Sequence, residues 1–114
     1  MERIEPTQLY EVMSCGNVYL VDARGDASFQ TAREHIPGDL HYSLRDLQTL
    51  YRRIPQDIQI VTYCAAPDEA GAGRVASFLE SKGYRVALLH GGLDAWKHAG
   101  LPTEPLDAGV QHTS

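Results

Sequence analysis

Ile58-Gln59-Ile60-Val61-Thr62-Tyr63-Cys64, continuing into Ala65-Ala66-Pro67-Asp68-Glu69-Ala70-Gly71-Ala72-Gly73-Arg74, is the stretch that organises the chain. An apolar, β-branched run stops at a cysteine, small residues and a proline follow, and then a helical pattern begins. That order predicts a strand ending in a thiol that faces the opening turn of a helix. Unpaired backbone N–H groups and the positive end of the helix dipole gather at such a turn. A thiol there is expected to have a lowered pKa and to sit beside a cradle for an anion. Gly71 and Gly73 fall in the first turns of that helix and cost about 1 kcal/mol each relative to alanine if fully helical. Small size near the thiol is the reason the pattern suggests for them.

Outward from this stretch, the totals set bounds. A chain of 114 residues suits one domain with a real core and leaves no room for a second. A net charge of −5 argues against nucleic-acid and acidic-membrane partners, which attract basic surfaces. Apolar runs stop at four residues, so no membrane insertion is expected. Glu2 and Glu5 stand where a signal peptide needs apolar residues. The two cysteines, Cys15 and Cys64, have the spacing of neither a disulfide framework nor a zinc site. A reducing, cytoplasmic setting with a working thiol is the simpler expectation. The five histidines are scattered without ligand spacing, and no metal or other cofactor is expected.

Taken in order, Pro6 fits the first turn of a helix carrying Leu9, Val12 and Met13 on one face and ended by Gly16-Asn17. Cys15 falls in its last turn and reads as a small packing residue, with a resolving thiol as the alternative. Val18-Tyr19-Leu20-Val21 is apolar on both faces, as a buried parallel strand is. It runs into Asp22-Ala23-Arg24 and a helix expected to carry Phe29, Ala32 and Ile36, broken at His35-Ile36-Pro37-Gly38. Leu40-His41-Tyr42 reads as a short strand, and Ser43 with Asp46 as a capping box before the helical face of Leu44, Leu47, Leu50 and Ile54. Beyond the Cys64 loop, Val75, Ala76 and Leu79 form a helix face closed by Gly83, and Val86-Ala87-Leu88-Leu89 is another buried strand. Leu93 and Trp96 share the last helix, which Gly100 and Pro102 close. Phe29, Leu79 and Trp96 read as core. Residues 1–102 are thus expected to form the domain and 103–114 a loosely held tail.

Strands alternating with helices at this pace imply an α/β fold, a parallel sheet covered on both faces. Its site then lies beyond the carboxyl ends of the strands, where Asp22, Cys64 and His90 should share one rim.

On these motifs the chain resembles a single-domain rhodanese. Val21-Asp22-Ala23-Arg24, Phe29 with His35-Ile36-Pro37-Gly38-Asp39, Tyr63-Cys64, and Gly91-Gly92-Leu93-Asp94-Ala95-Trp96 with Gly100-Leu101-Pro102 follow in that family's order from about Ile4 to Pro102. The resemblance implies a five-stranded parallel sheet. It also implies transfer of a sulfane sulfur through a cysteine persulfide, to a thiol or cyanide acceptor, without a metal. The loop departs from the usual glycine-rich, basic pattern. It is about two residues longer, Glu69 stands where an arginine is common, and Pro67, Asp68 and Glu69 resemble a subgroup whose loop reads Cys-x-Cys-Pro-Asn-Glu. Ala66 replaces the second cysteine, which excludes a dithiol mechanism within the loop.

Several residues therefore carry two readings. Cys64 is the candidate nucleophile. Ala65, Ala66, Asp68, Glu69, Ala70 and Gly71 are the candidate substrate loop. Asp68 and Glu69 either cap the helix or face the pocket, where they raise the thiol pKa and repel anionic donors. In both cases thiosulfate is expected to be a poor donor and a persulfide, small-molecule or protein-bound, a better one. Arg24 is read as paired with an acid or backbone carbonyls beneath the loop, or as touching substrate. Arg74 either supplies the positive charge missing at Glu69 or is solvated. Asp22 and His35 are read as structural residues near the site, and His90 as a polar rim residue. The competing functions are a non-catalytic binding or regulatory module and a phosphatase or arsenate reductase. The last class calls for an arginine at the loop end, where Gly71 stands. Oligomeric state is left open.

Overall fold

The computed structural model describes residues 2–25, 32–65 and 70–106. Within them the strands are β1 (Glu2–Ile4), β2 (Val18–Asp22), β3 (Glu34–His35), β4 (Leu40–His41), β5 (Gln59–Tyr63), β6 (Arg85–Leu89) and β7 (Glu104–Pro105). The α-helices are α1 (Pro6–Ser14), α2 (Leu44–Leu50), α3 (Ala70–Ser81) and α4 (Gly92–His98), with a short 3₁₀ turn at Tyr51–Arg53. Five strands form one parallel sheet in the order β1-β6-β5-β2-β4, as the resemblance implied.

The core follows from strand alternation, which sends successive side chains to opposite faces. Tyr19 and Val21 of β2, Ile60 of β5, and Val86 and Leu88 of β6 point to one layer. There they meet Leu47 of α2 and Ala72, Val75, Ala76 and Leu79 of α3. Leu20, Val61, Tyr63, Ala87 and Leu89 point to the other layer, against Leu9 of α1 and Leu93 and Trp96 of α4. Because both faces are covered, these strands read as continuous apolar runs. Cys64, next in the alternation after Tyr63, falls on the α2–α3 side.

Local chemistry sets the helix ends. Ser43 Oγ accepts a hydrogen bond from the Asp46 N–H at 3.2 Å, and the Asp46 carboxylate accepts from the Ser43 N–H at 3.3 Å, so the predicted capping box forms. Pro6 opens α1 as predicted. Gly91 and Gly92 turn the chain from β6 into α4 with φ of 76° and 64°, a region a Cβ disfavours.

Some expectations are corrected. Ala32 and Ile36 are not helical: Glu34–His35 forms a two-residue strand antiparallel to Glu104–Pro105. Ile36 still reaches the core, but its N–H bonds to the Tyr63 hydroxyl at 3.2 Å instead of to a helical carbonyl. Phe29 lies outside the described residues. Cys15 does not pack; it is exposed at the C-cap of α1. Six residues beyond the inward Leu9, it stands about 240° round the helix, on the outer face. Val12, 37% exposed, sits at the edge of the buried stripe. Beyond Pro102 the chain is held through Leu106, whose N–H bonds the Arg33 carbonyl at 2.8 Å. The rest of the expected loose tail, 107–114, lies outside the described residues. No helix among the described residues is long and apolar enough to cross a membrane.

Candidate active site

Cys64 stands one residue beyond β5, the middle strand of the sheet. From β2 the chain passes outward to β4, and from β5 it passes the other way to β6, so the direction of winding reverses between β2 and β5. In open α/β sheets a ligand crevice opens at this switch, beyond the carboxyl ends of the strands. The Cys64 thiol lies over that crevice, with Sγ 3.9 Å from the Ala23 carbonyl oxygen at the end of β2.

The backbone here is pinned from both neighbours. The Ala23 N–H donates to the Tyr63 carbonyl at 2.8 Å, and the Leu93 N–H in the first turn of α4 donates to the Cys64 carbonyl at 2.8 Å. Across the thiol stands the opening turn of α3. A Cβ added at Gly71 would lie 2.9 Å from Cys64 Sγ, so the absence of a side chain there makes room for the sulfur. At Gly73 an added Cβ would meet nothing within 4 Å, so proximity to the thiol accounts for Gly71 and not for Gly73. Thr62 Oγ1 donates to the Ala72 carbonyl at 3.1 Å and ties the strand to the same helix.

Beneath the crevice lies a buried ionic cluster. Asp22 is fully buried and Arg24 is 3% exposed. Arg24 reaches both Asp22 oxygens, Nε at 2.9 and 3.1 Å and Nη2 at 2.7 Å, and its own N–H also bonds Oδ1 at 3.0 Å. Burial pulls the Arg24 pKa down, but the hydrogen bond and charge of Asp22 outweigh it, so the guanidinium stays charged. Its Cζ sits 5.7 Å from the Tyr63 ring centroid. On the opposite face of β5 from the thiol, the Tyr63 hydroxyl donates to Asp39 at 2.5 Å. Burial, then the charges of Asp22 and Asp39, push the Tyr63 phenol far up, so it remains a neutral donor. Burial raises the Asp39 carboxyl as well, against the hydrogen bonds from Tyr63 and His35. Every buried side-chain polar atom among the described residues has a partner.

The sequence-predicted residues are thus distributed as follows. Asp22, Cys64 and His90 do end adjacent strands on one rim, but His90 is exposed and pairs outward with Glu5 at 2.8 Å. Arg24 is a buried partner of Asp22. His35 ends β3, 2.7 Å from Asp39 and 3.4 Å from Glu104. Ala65 follows the thiol half-buried, Ala70 begins α3 exposed, and Arg74 lies exposed one turn further on. Ala66, Asp68 and Glu69 lie outside the described residues. Cys15 ends α1, which returns from the carboxyl rim to the amino rim of the sheet. A helix of nine residues spans about 13 Å, so the resolving-thiol alternative fails within one chain. The sequence reading missed the Asp39–Tyr63 bond and the Leu93 amide. Asp39 was visible as the last residue of a quoted motif; nothing local marks Leu93.

A family described as Rhodanese-like domain matches residues 5–99. The chain is 28% identical over 103 residues to an HTH-type transcriptional regulator of Mycobacterium tuberculosis, covering 90% of this chain and 45% of that protein. It therefore spans less than half the length of that curated relative. Among solved structures, it is similar to a thiosulfate sulfurtransferase from Pseudomonas aeruginosa (TM-score 0.75, 28% identity, 90% of this chain and 19% of the other). It is also similar in fold to a rhodanese-related protein from Thermoplasma volcanium (TM-score 0.76, 18% identity, 91% and 98%).

Proposed function

The chain belongs to the rhodanese-like domain family, and from that premise we propose that it moves a sulfane sulfur through a persulfide on Cys64. One observation carries the reading: a half-buried thiol at the end of the central strand, against a helix turn cleared of side chain at Gly71. The Cys64 thiolate attacks the outer sulfur of a persulfide donor. The donor's S–S bond breaks as the new one forms, and the donor leaves as a thiolate. An acceptor thiolate or cyanide then takes the outer sulfur by the same displacement and restores Cys64. Amides at the opening turn of a helix suit the anionic persulfide. No metal or cofactor enters this chemistry. A reducing, cytoplasmic compartment suits a working thiol. Persulfides, small or protein-bound, serve as donors, and thiosulfate serves poorly: Asp68 and Glu69 follow Cys64 by four and five residues and bring negative charge to a loop that in this family is commonly basic.

The likeness to a transcriptional regulator favours a second reading, a binding or regulatory module without turnover. Sulfur loading of Cys64 separates the two. Intact mass is measured after incubation with a persulfide donor and, separately, with thiosulfate. The transfer reading expects a gain of one sulfur atom, removed by cyanide and absent in Cys64→Ser. No gain from folded, reduced protein sinks it and leaves the module.

A further inference from the structure

Beyond the reacting sulfur, we infer that a groove between α2 and α3 binds the remainder of a low-molecular-weight persulfide by pairing Arg74 with a free carboxylate. The inference rests on the sulfur-transfer reading and names the substrate class for the same site. The groove has a volume of about 580 Å³ and is lined by Leu44 and Gln48 of α2 and by Gly73, Arg74, Ser77 and Phe78 of α3. That lies within the range of small-ligand sites. Leu44, Phe78 and Cys64 all edge the same core layer, so the groove and the thiol lie on one side of the sheet.

Helix geometry links them closely. Gly71 gives way to the sulfur, and Arg74 follows about 4.5 Å along the axis and about 60° round it. Gly73, about 100° round from Arg74 on the side away from Gly71, lines the groove despite the cost of glycine inside a helix, and an added Cβ there would meet nothing within 4 Å, so the groove is open at that point. Arg74 is exposed and makes no ion pair among the described residues, in a chain of net charge −5. A guanidinium fork matches a carboxylate bidentately. Leu44 and Phe78 offer apolar walls to a methylene stem, and Gln48 and Ser77 offer hydrogen bonds to peptide-like groups. Thiosulfate has no second arm to reach from Cys64 to Arg74, whereas a peptidyl persulfide has. The transfer itself breaks one S–S bond as another forms. The donor departs as a carboxylate-bearing thiolate, with no net oxidation.

The test compares loading of Cys64 by glutathione persulfide, by its diethyl ester and by inorganic polysulfide. In the wild type the free acid is expected to show a KM about fivefold below that of the ester, the size of an exposed ion pair, with similar kcat. Arg74→Ala should bring the ratio near one by raising KM for the acid, and Arg74→Lys should restore part of it. Gly73→Leu, which fills the groove at that point, should raise KM for both organic donors. An acid-to-ester ratio that is the same in wild type and Arg74→Ala overturns the inference. Loading by polysulfide with equal KM for acid and ester overturns the groove and leaves sulfur transfer standing. No loading by any of the three overturns both.

Discussion

Substituting Gly71 by alanine sets two effects of known sign against each other at the Cys64 sulfur. The added Cβ would stand 2.9 Å from Cys64 Sγ and 3.6 Å from the Ala23 carbonyl oxygen. Non-bonded heavy atoms prefer about 3.5–4.0 Å, so the sulfur is overlapped by more than half an ångström and must move. Rotating the thiol away from a staggered position costs about 0.5–1.5 kcal/mol, and shifting the helix start costs about 1–3 kcal/mol. Against this, alanine in place of glycine gains at most about 1 kcal/mol of helix propensity. Gly73→Ala supplies the reference, because its Cβ meets open space and only the propensity gain applies. Urea unfolding should therefore find Gly73→Ala more stable than wild type by about 0.5–1 kcal/mol, with Gly71→Ala about 1–2 kcal/mol below Gly73→Ala. Because reacting atoms displaced by about 1 Å cost up to ~100-fold in rate, Gly71→Ala should load sulfur on Cys64 at least about tenfold more slowly, read by intact mass against time. If Gly71→Ala gains as much stability as Gly73→Ala and loads at the wild-type rate, the sulfur does not rest against this turn and the site as described is wrong.

Three further outcomes are expected. Arg24→Met strands the buried Asp22 carboxylate and should cost about 3–5 kcal/mol in urea unfolding, with Asp22→Asn/Arg24→Met recovering part; a loss below about 1 kcal/mol contradicts the buried pair. Asp39 has a folded pKa raised above its ordinary 3.8 by burial, so the native state holds the proton more tightly than the unfolded chain. Stability from this group is then present below that value and lost as pH rises through the raised one, and Asp39→Asn should remove this fall while keeping an acceptor for Tyr63. Parallel unfolding free energies for the two proteins across that interval would count against it. Mild oxidation should link exposed Cys15 residues of two chains, and Cys15→Ser should abolish the linked species on a non-reducing gel. An intramolecular bond, seen as a loss of two hydrogens from the monomer mass, contradicts the opposite-rim placement.

Much of the layout was legible because its causes are local. The runs at Val18, Ile58 and Val86 are buried on both faces, and turn residues bound them, so periodicity and punctuation agree. Pro6 and the Ser43–Asp46 pair announce helix starts through hydrogen bonds that span three residues. What escaped depends on distant partners. Glu2–Ile4 is an edge strand with two charged residues and only Ile4 partly buried, so it has no apolar signature of its own. Ala32 and Ile36 have helical spacing, yet Ile36 is apolar because the opposite layer needs it, and Glu34–His35 pairs with a segment far along the chain. The site divides in the same way. The thiol, the small residues after it and Gly71 could be read from one stretch. The Ala23 and Leu93 amides that hold the backbone at Tyr63 and Cys64 come from just past β2 and from α4, and no local pattern records them. Cys15 is exposed because the last turn of α1 carries it to the outer face, about 240° round from Leu9.

The two hydrogen bonds that pin the end of β5 are donated by backbone amides on opposite sides of it in sequence, Ala23 before and Leu93 after. A chain still being synthesised cannot close both until the turn into α4 has emerged and folded. Until then the Cys64 carbonyl lacks the amide that the first turn of α4 supplies. A fragment ending at α3 would likewise carry the cysteine and its loop but not the centre. The backbone around Cys64 is thus fully fixed only when β2, β5 and α4 have come together.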